Sequence, residues 1–403
     1  MMLKQFIGLM SPKMKSLKRL YELIYKFGPI SKSKLVELSG YKQATCARLI
    51  DELVEADLIY ESGQGESTGG RKPAMYVIKP DNYYLIGVDI TRVSTKIALL
   101  DLELNHLQSI KLDMTSSTTA DYTLHFICEQ IQQMLESRNI PLGRLLGIGV
   151  GAVGPLDREK GVFLNPKHFL SEGWENVNLV NRLKEAFDTV VLLENGANLA
   201  ALGEYRRNHW KTADNLVYTM SGVGIRCGVI SKGQVVRGNV DMEGAFGHVI
   251  VDVHGLKCSC GAYGCLEAYS SLSAIRIEVI KQLKRGKPSL LKRMVNQLED
   301  IRFDHILYSI VQDDPLCSEI VRDAAFYYGI ALSNLIYLVH PEVVIIGGVL
   351  GSHELFYEVA SETAKDRLKN YPHYQIQFHK ASEGDNAVTV GAGSMVFDYY
   401  LEQ

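Results

Sequence analysis

The feature that most constrains this chain is a pattern that occurs twice. Residues 84–89 and 96–101 are short β-rich runs close enough to form a hairpin. Later, residues 215–220 lead through Gly222 and Gly224 to 227–230, a turn at Lys232-Gly233, and 234–236. Both stretches read as strand, small-residue turn, strand, turn, strand. Further strands are expected over 145–150, 190–193 and 343–348, the last ending in a glycine pair. Helices are expected over 121–137 and 178–187. Two related α/β halves enclosing a cleft are the reading this pattern supports.

At 403 residues the chain has room for two or three domains. Its 46% hydrophobic and 22% charged content excludes a largely disordered or collagen-like chain. No apolar run approaches the ~18 residues of a membrane span. Met1-Met2-Leu3-Lys4-Gln5-Phe6 has no long apolar stretch followed by a cleavage site, so no secretion signal is expected. Seven cysteines, three of them at 258, 260 and 265, suggest a reduced cytoplasmic protein that binds metal, rather than a disulfide framework. The charge is uneven. Residues 1–80 carry 13 Lys/Arg against 8 Asp/Glu, a net +5, whereas the remainder is −8. A basic head on an acidic body suits a polyanion.

The head has its own pattern. Leu17, Leu20, Tyr21, Ile24 and Phe27 form a helical stripe over 14–27, which Gly28-Pro29 stops. Ser31 is a plausible N-cap for a second helix bearing Leu35, Val36 and Leu38. After the turn Ser39-Gly40-Tyr41, a third helix over 42–56 is expected to bury Ala44, Leu49, Ile50, Leu53 and Val54. Two strands, 58–60 and 74–78, flank a glycine-rich loop over 63–70. Together these predict a winged helix-turn-helix over residues 14–80. Its third helix offers Lys42, Gln43, Thr45 and Arg48 to base edges and phosphates in a major groove. The wing tip offers Arg71 and Lys72 as a basic hook for the DNA backbone or minor groove. A solvated helix face would explain the third helix alone. The turn, the wing and the local charge together favour double-stranded DNA.

In the body, His248, Cys258, Cys260 and Cys265 supply one imidazole and three thiols, a set suited to tetrahedral zinc. With all four positions filled by protein, the site reads as structural. His254 is the competing imidazole. Turns after strands can cradle phosphate through backbone N–H groups. Ser221-Gly222-Val223-Gly224 and Gly347-Gly348 keep their glycines, while Ile90-Thr91-Arg92-Val93-Ser94 has none.

These motifs resemble the ROK family, in particular its branch of xylose- and N-acetylglucosamine-type repressors, over essentially the whole chain. The most specific pieces are Ser67-Thr68-Gly69-Gly70-Arg71-Lys72-Pro73, Gly247-His248, the run from Cys258 to Glu267, and His340-Pro341-Glu342 leading into Gly347-Gly348. The resemblance implies a two-lobed actin-like ATPase/sugar-kinase fold, a duplicated ribonuclease H-like α/β architecture behind the winged helix-turn-helix. It also implies zinc near a hexose pocket, and dimers or dimers of dimers. The expected layout is residues 1–80 as the DNA-binding head, 81–195 as the first lobe, and 196–403 as the second lobe with zinc loop and dimerisation surface. The segment 388–403 is expected to return to the first lobe.

The departures matter as much. Family kinases carry Asp-x-Gly-Gly-Thr where this chain has Asp89-Ile90-Thr91-Arg92-Val93. They carry Glu-Asn-Asp, with the Asp as general base, where this chain has Glu194-Asn195-Gly196, and glycine cannot take a proton. They carry Glu-x-Gly-His where this chain has Ala245-Phe246-Gly247-His248, with Glu243 nearby but two positions out of register. Asn195, His248 and Glu267 remain from the ligand set. The expectation is a repressor of carbohydrate genes, acting as a homodimer with a carbohydrate effector and no enzymatic activity. The rivals are an ATP-dependent sugar kinase with a regulatory head, and a regulator answering to a non-sugar effector or a protein partner.

Overall fold

A computed structural model of the chain describes residues 2–8, 10–64, 72–166, 169–239 and 245–401. By contact it divides into two units. The first is Met1–Leu199, Arg206–Thr212 and Val388–Gln403, and the second is Ala200–Tyr205 and Ala213–Ala387. The sequence places the change of lobe at 195–196. The head belongs to the first unit.

Helix α1 (Pro12–Phe27) starts where the Ser11 hydroxyl accepts the Met14 N–H, with proline in its first turn. Strand β1 (Ile30–Ser31) follows. Helix α2 (Lys32–Ser39) is capped by Ser31 and ends at Gly40, whose φ of +71° is the left-handed conformation that glycine adopts without steric penalty. Helix α3 is Gln43–Glu55. Its buried stripe is Cys46, Leu49, Ile50 and Leu53, at the i, i+3, i+4, i+7 spacing of one helix face. Ala44 and Val54, expected inside, lie outside that stripe and are exposed, as is Phe27 at the end of α1. Strand β3 (Ala74–Ile78) pairs with both β1 and β2 (Ile59–Gln64). Strand β2 runs beyond the expected 58–60. Residues 65–71, including Arg71 and most of the expected loop, lie outside the described residues.

The first lobe is built on β4 (Tyr84–Ile90), β5 (Ser94–Leu100), β6 (His106–Asp113), β7 (Leu145–Ala152) and, past the short strands β8 (Leu156–Asp157), β9 (Val162–Phe163) and β10 (Val177–Asn178), β11 (Val190–Asn195). The sheet order is β11-β7-β4-β5-β6, with β4, β7 and β11 parallel and β5 and β6 antiparallel. Alternation along β4 assigns the faces. Ile86 and Val88 share a core with helices α4 (Ala120–Ser137) and α5 (Leu179–Phe187). On the other face lies the C-terminal helix α13 (Ala387–Leu401). A Cβ at Gly87 or Gly149 would stand 2.1 Å from the carbonyl oxygen of Thr389 or Ala392, so only glycine lets α13 lie directly on these strands.

The head shares the core on the α13 face. Leu20, Tyr21 and Ile24 of α1 pack in one cluster with Leu85, Leu146, Phe397 and Tyr400. The Tyr25 ring lies 4.6 Å from Phe397 and 4.8 Å from Trp210. Trp210 follows a π-helical turn, Tyr205–His209, that extends helix α6 (Gly196–Glu204). Arg206 from that turn stacks 4.2 Å from the Trp210 ring and pairs with Asp398 at 2.9 Å. Lys211 donates to the Gly28 carbonyl at 3.3 Å.

The second unit repeats the plan. Strands β12 (Leu216–Ser221), β13 (Ile225–Ser231), β14 (Gln234–Val235), β15 (Val343–Gly347) and β16 (Gln377–Lys380) lie in the order β14-β13-β12-β15-β16, with the same mix of parallel and antiparallel pairs. Helices α7 (Glu267–Ser270), α8 (Leu272–Lys284), α9 (Phe303–Val311), α10 (Pro315–Val339), α11 (Gly348–Gly351) and α12 (Glu354–Arg367) complete it. Helices α8, α9 and α10 occupy residues 272–339, where the sequence patterns predict no element.

Candidate functional sites

The best-defined cluster is the one the cysteine spacing announced. Ligand atoms of His248, Cys258, Cys260 and Cys265 all lie within 4.8 Å of one another. Cys258 Sγ is 3.8 Å from His248 Nδ1, and Cys260 Sγ is 3.7 Å from Cys265 Sγ. Sulfurs ~2.3 Å from a tetrahedral zinc stand roughly 3.8 Å apart, so the donor set fits that metal. His254 is outside the group; its backbone N–H donates to Asp252. The loop is braced by Tyr269, whose hydroxyl donates to Asp252 Oδ2 at 3.1 Å and accepts the Leu256 N–H at 2.7 Å. That brace had no signal in the sequence. A backbone N–H from Ala262 holds the Cys260 thiol below its usual pKa, while burial and the neighbouring thiols push Cys265 up.

The Cys258–Cys265 loop also sets Glu267. Glu267 opens α7 two residues after Cys265, and its Oε2 accepts the Ile225 N–H at 3.1 Å. Gly247, before His248, packs so closely that a Cβ would lie 2.7 Å from the Ile225 carbonyl oxygen. His248 and Glu267 are therefore both anchored at the start of β13. The turn between β12 and β13 closes with a Gly222 N–H to Gly224 carbonyl bond of 3.1 Å. The buried Ser221 hydroxyl at its base has no hydrogen-bond partner among the described residues. Glu243 lies outside the described residues.

Asn195, the remaining predicted pocket residue, belongs to the first unit and is buried. Its Oδ1 accepts the Ala197 N–H at 2.9 Å. Glu194, also buried, receives the Asn195 N–H, the Asn198 amide and the Arg158 guanidinium, the last at 3.1 Å. The Arg158 pairing, from a turn distant in sequence, could not be read from the motif. At Gly196 the nearest atoms to an added Cβ are 3.9 Å away, among them Asp89 Oδ1, so packing leaves room for a β-carbon there.

The turn after Asp89 has changed character. Thr91 Oγ1 accepts the N–H groups of Val93 at 3.3 Å and Ser94 at 3.0 Å and donates to the Ser94 carbonyl at 2.8 Å. A phosphate cradle presents such N–H groups outward. Here the threonine hydroxyl already uses them.

In the head, Lys42 is the N-cap residue of α3 and is exposed, as are Gln43 and Arg48; Thr45 is half-buried. Lys42 and Gln43 stand at the exposed start of α3, one turn before Cys46, and Arg48 lies on the side away from the Cys46–Leu53 stripe. Lys72 is exposed just before β3.

The chain belongs to the ROK family, whose pattern matches residues 85–398. It is 29% identical to the xylose repressor of Bacillus subtilis over 393 residues, covering 96% of this chain and 95% of that protein. It is 28% identical to the Escherichia coli regulator NagC over 328 residues, covering 81% and 79%. Among solved structures, a ROK family transcriptional regulator described as a homologue of the E. coli MLC protein superposes with a TM-score of 0.79 at 26% identity, covering 97% of this chain and 98% of that one. A ROK family glucokinase from Streptomyces griseus, solved with glucose and AMPPNP, superposes with a TM-score of 0.64 at 27% identity, covering 77% of this chain and 98% of that one. The duplicated α/β body is thus shared with regulators and kinases alike. No helix among the described residues is long and apolar enough to cross a membrane.

Proposed function

We propose that this chain is a DNA-binding transcriptional regulator of carbohydrate genes, acting in the cytoplasm as a repressor. The observation that carries this reading is the head. A helix with an exposed Lys42, Gln43 and Arg48 edge stands beside a β-ribbon, on a chain that aligns with a repressor over nearly its full length. Arg48 and Gln43 contact base edges, and Lys42, Thr45, Arg71 and Lys72 contact the backbone. Two heads in a homodimer read a roughly palindromic operator.

The body serves as sensor and assembly module rather than kinase. Phosphoryl transfer depends on positioning and electrostatic cradling of the transferred group. Gly196 offers no base, and the N–H groups of the Thr91–Ser94 turn are spent internally. Asn195 in the first unit, and His248 and Glu267 in the second, keep polar side chains for a small ligand. The absence of carboxylates at 196 and 245 favours a bulkier or anionic effector over a plain hexose. His248, Cys258, Cys260 and Cys265 would hold zinc, which would brace the loop carrying Glu267.

The test is fluorescence anisotropy of the full-length protein on duplexes from upstream of its own gene and the adjacent genes, with and without residues 1–80. Specific binding that requires the head supports the reading. Equal binding by the truncated protein overturns it. ATP turnover with a panel of hexoses near ~1–100 per second would overturn the claim that the body is not a kinase.

A further inference from the structure

Strand β11 is an edge of the first sheet, paired with β7 on one side. On its other side, Val190, Val191 and Leu192 make no main-chain hydrogen bond outside the β7 ladder among the described residues. Unpaired strand edges are templates for another strand, and proteins ordinarily cover or guard them. This edge opens into a cavity of about 440 Å³, within the range of ligand pockets. Lys4 of the N-terminal segment, Lys184 of α5, Asp188 and Tyr399 of α13 surround it.

Three properties narrow what fits. Neither Lys4 nor Lys184 forms a salt bridge among the described residues, and Asp188 is the one carboxylate in the lining, so the cavity carries excess positive charge. Burial holds the Lys4 ammonium below its usual pKa, with Asp188 opposing, so a negative partner would relieve a cost already incurred. The floor is strand backbone with half-buried Val190, Leu192 and Tyr399, which offers peptide groups and apolar surface in alternation. A compact anion would use the lysines and leave the strand edge unpaired. An extended acidic peptide uses both.

We infer that this cleft binds an extended, acidic peptide segment of a partner protein, which adds a strand to the free edge of β11 and sets its carboxylates against Lys4 and Lys184. Backbone pairing supplies the affinity and the lysines supply the charge preference, the usual division of labour in strand addition. The site joins two parts of the first unit. Leu3 and Phe6, on either side of Lys4, are fully buried in the core that also holds Tyr21 of α1 and Tyr400 of α13. A strand seated here would touch both the lobe and the segment leading into the head. This inference does not depend on DNA binding.

The test uses full-length protein and a labelled Val-Glu-Val-Glu-Val-Glu peptide. Expected are saturable binding, slower amide exchange confined to Val190–Leu192, and affinity about tenfold weaker for the corresponding lysine peptide and for the Lys4→Ala/Lys184→Ala variant. A proline in the centre of the peptide should also weaken binding, because it removes a ladder donor. Lys184→Glu should shift preference toward the lysine peptide, with melting temperature checked for every variant. Several outcomes overturn the inference: no binding, which leaves the lysines as guards of the edge; equal binding of both peptides; binding without protection of β11; or full competition by glutamate or inorganic phosphate, which makes it a small-anion site.

Discussion

The two sheets of the body have the same strand order, yet they have been put to different uses. In the second unit the turns after β12 and β15 keep Gly222, Gly224, Gly347 and Gly348, and Glu267 and His248 are held at the start of β13. In the first unit the equivalent turn after β4 is folded in upon Thr91, and Gly196 stands where the family's kinases carry a carboxylate. The first sheet has gained something instead. Its α13 face shares a core with the head and is sealed by Tyr25, Trp210 and Phe397. A common scaffold therefore does not impose common chemistry. Function sits in loops and faces that can be exchanged while the ladder stays the same.

The largest test of this contrast is at the metal. Cys260→Ser should take bound zinc from about one per chain to none by elemental analysis. It should also lower the melting temperature of the second unit by several degrees, because metal binding in such sites contributes folding free energy on the order of 10 kcal/mol in small domains and part of that in a larger one. The head's operator affinity should change little. Retained zinc would show that His254 or another donor completes the site.

Next in size is the α13 face. Gly149→Ala drives a methyl into the Ala392 carbonyl and should cost ~3 kcal/mol or more, since helix or strand must shift. The Cβ of Gly196→Asp would meet nothing closer than 3.9 Å, so the variant should fold, at a modest cost from the nearby Asp89 carboxylate. That variant should still show no sugar phosphorylation, because restoring a base does not free the Val93 and Ser94 amides. Turnover by Gly196→Asp would mean that the base alone separates this chain from a kinase.

Arg48→Ala should weaken specific operator binding by ~1–3 kcal/mol and relax the sequence preference. Lys72→Ala should weaken all duplexes alike and reduce the salt slope. Trp210→Ala removes a half-buried ring from between Tyr25, Arg206 and Lys26, and should cost ~1–2 kcal/mol. Its signature should be a head that unfolds before the lobe in calorimetry. A single unchanged transition would show that the buried α1 core alone couples them.

Much of this was legible in the chain. Strand runs stood out because they are apolar and bounded by turns. The metal cluster stood out because its ligands are close in sequence, so local geometry nearly suffices to bring them together. The same locality made the α1–α3 pattern readable, although the exact inner stripe was not: Cys46 rather than Ala44 faces the core, because one residue rotates a helix by about 100°. Nothing in the sequence pointed to Arg158 on Glu194, Tyr269 on Asp252, or Trp210 on Tyr25.

The sequence by itself determined the helices of the head and most strands of the two sheets, which loop gathers the candidate metal ligands, and which kinase carboxylates are missing. Those follow from periodicity, short spacing and side-chain identity, all carried by neighbouring residues. Only the tertiary structure decided that the head shares a core with the first lobe, that Thr91 consumes the amides a phosphate would need, and that β11 is left with a free edge between two lysines. Each depends on groups far apart in the chain or on the direction of single hydrogen bonds. Folding fixes these by packing, and no local pattern encodes them.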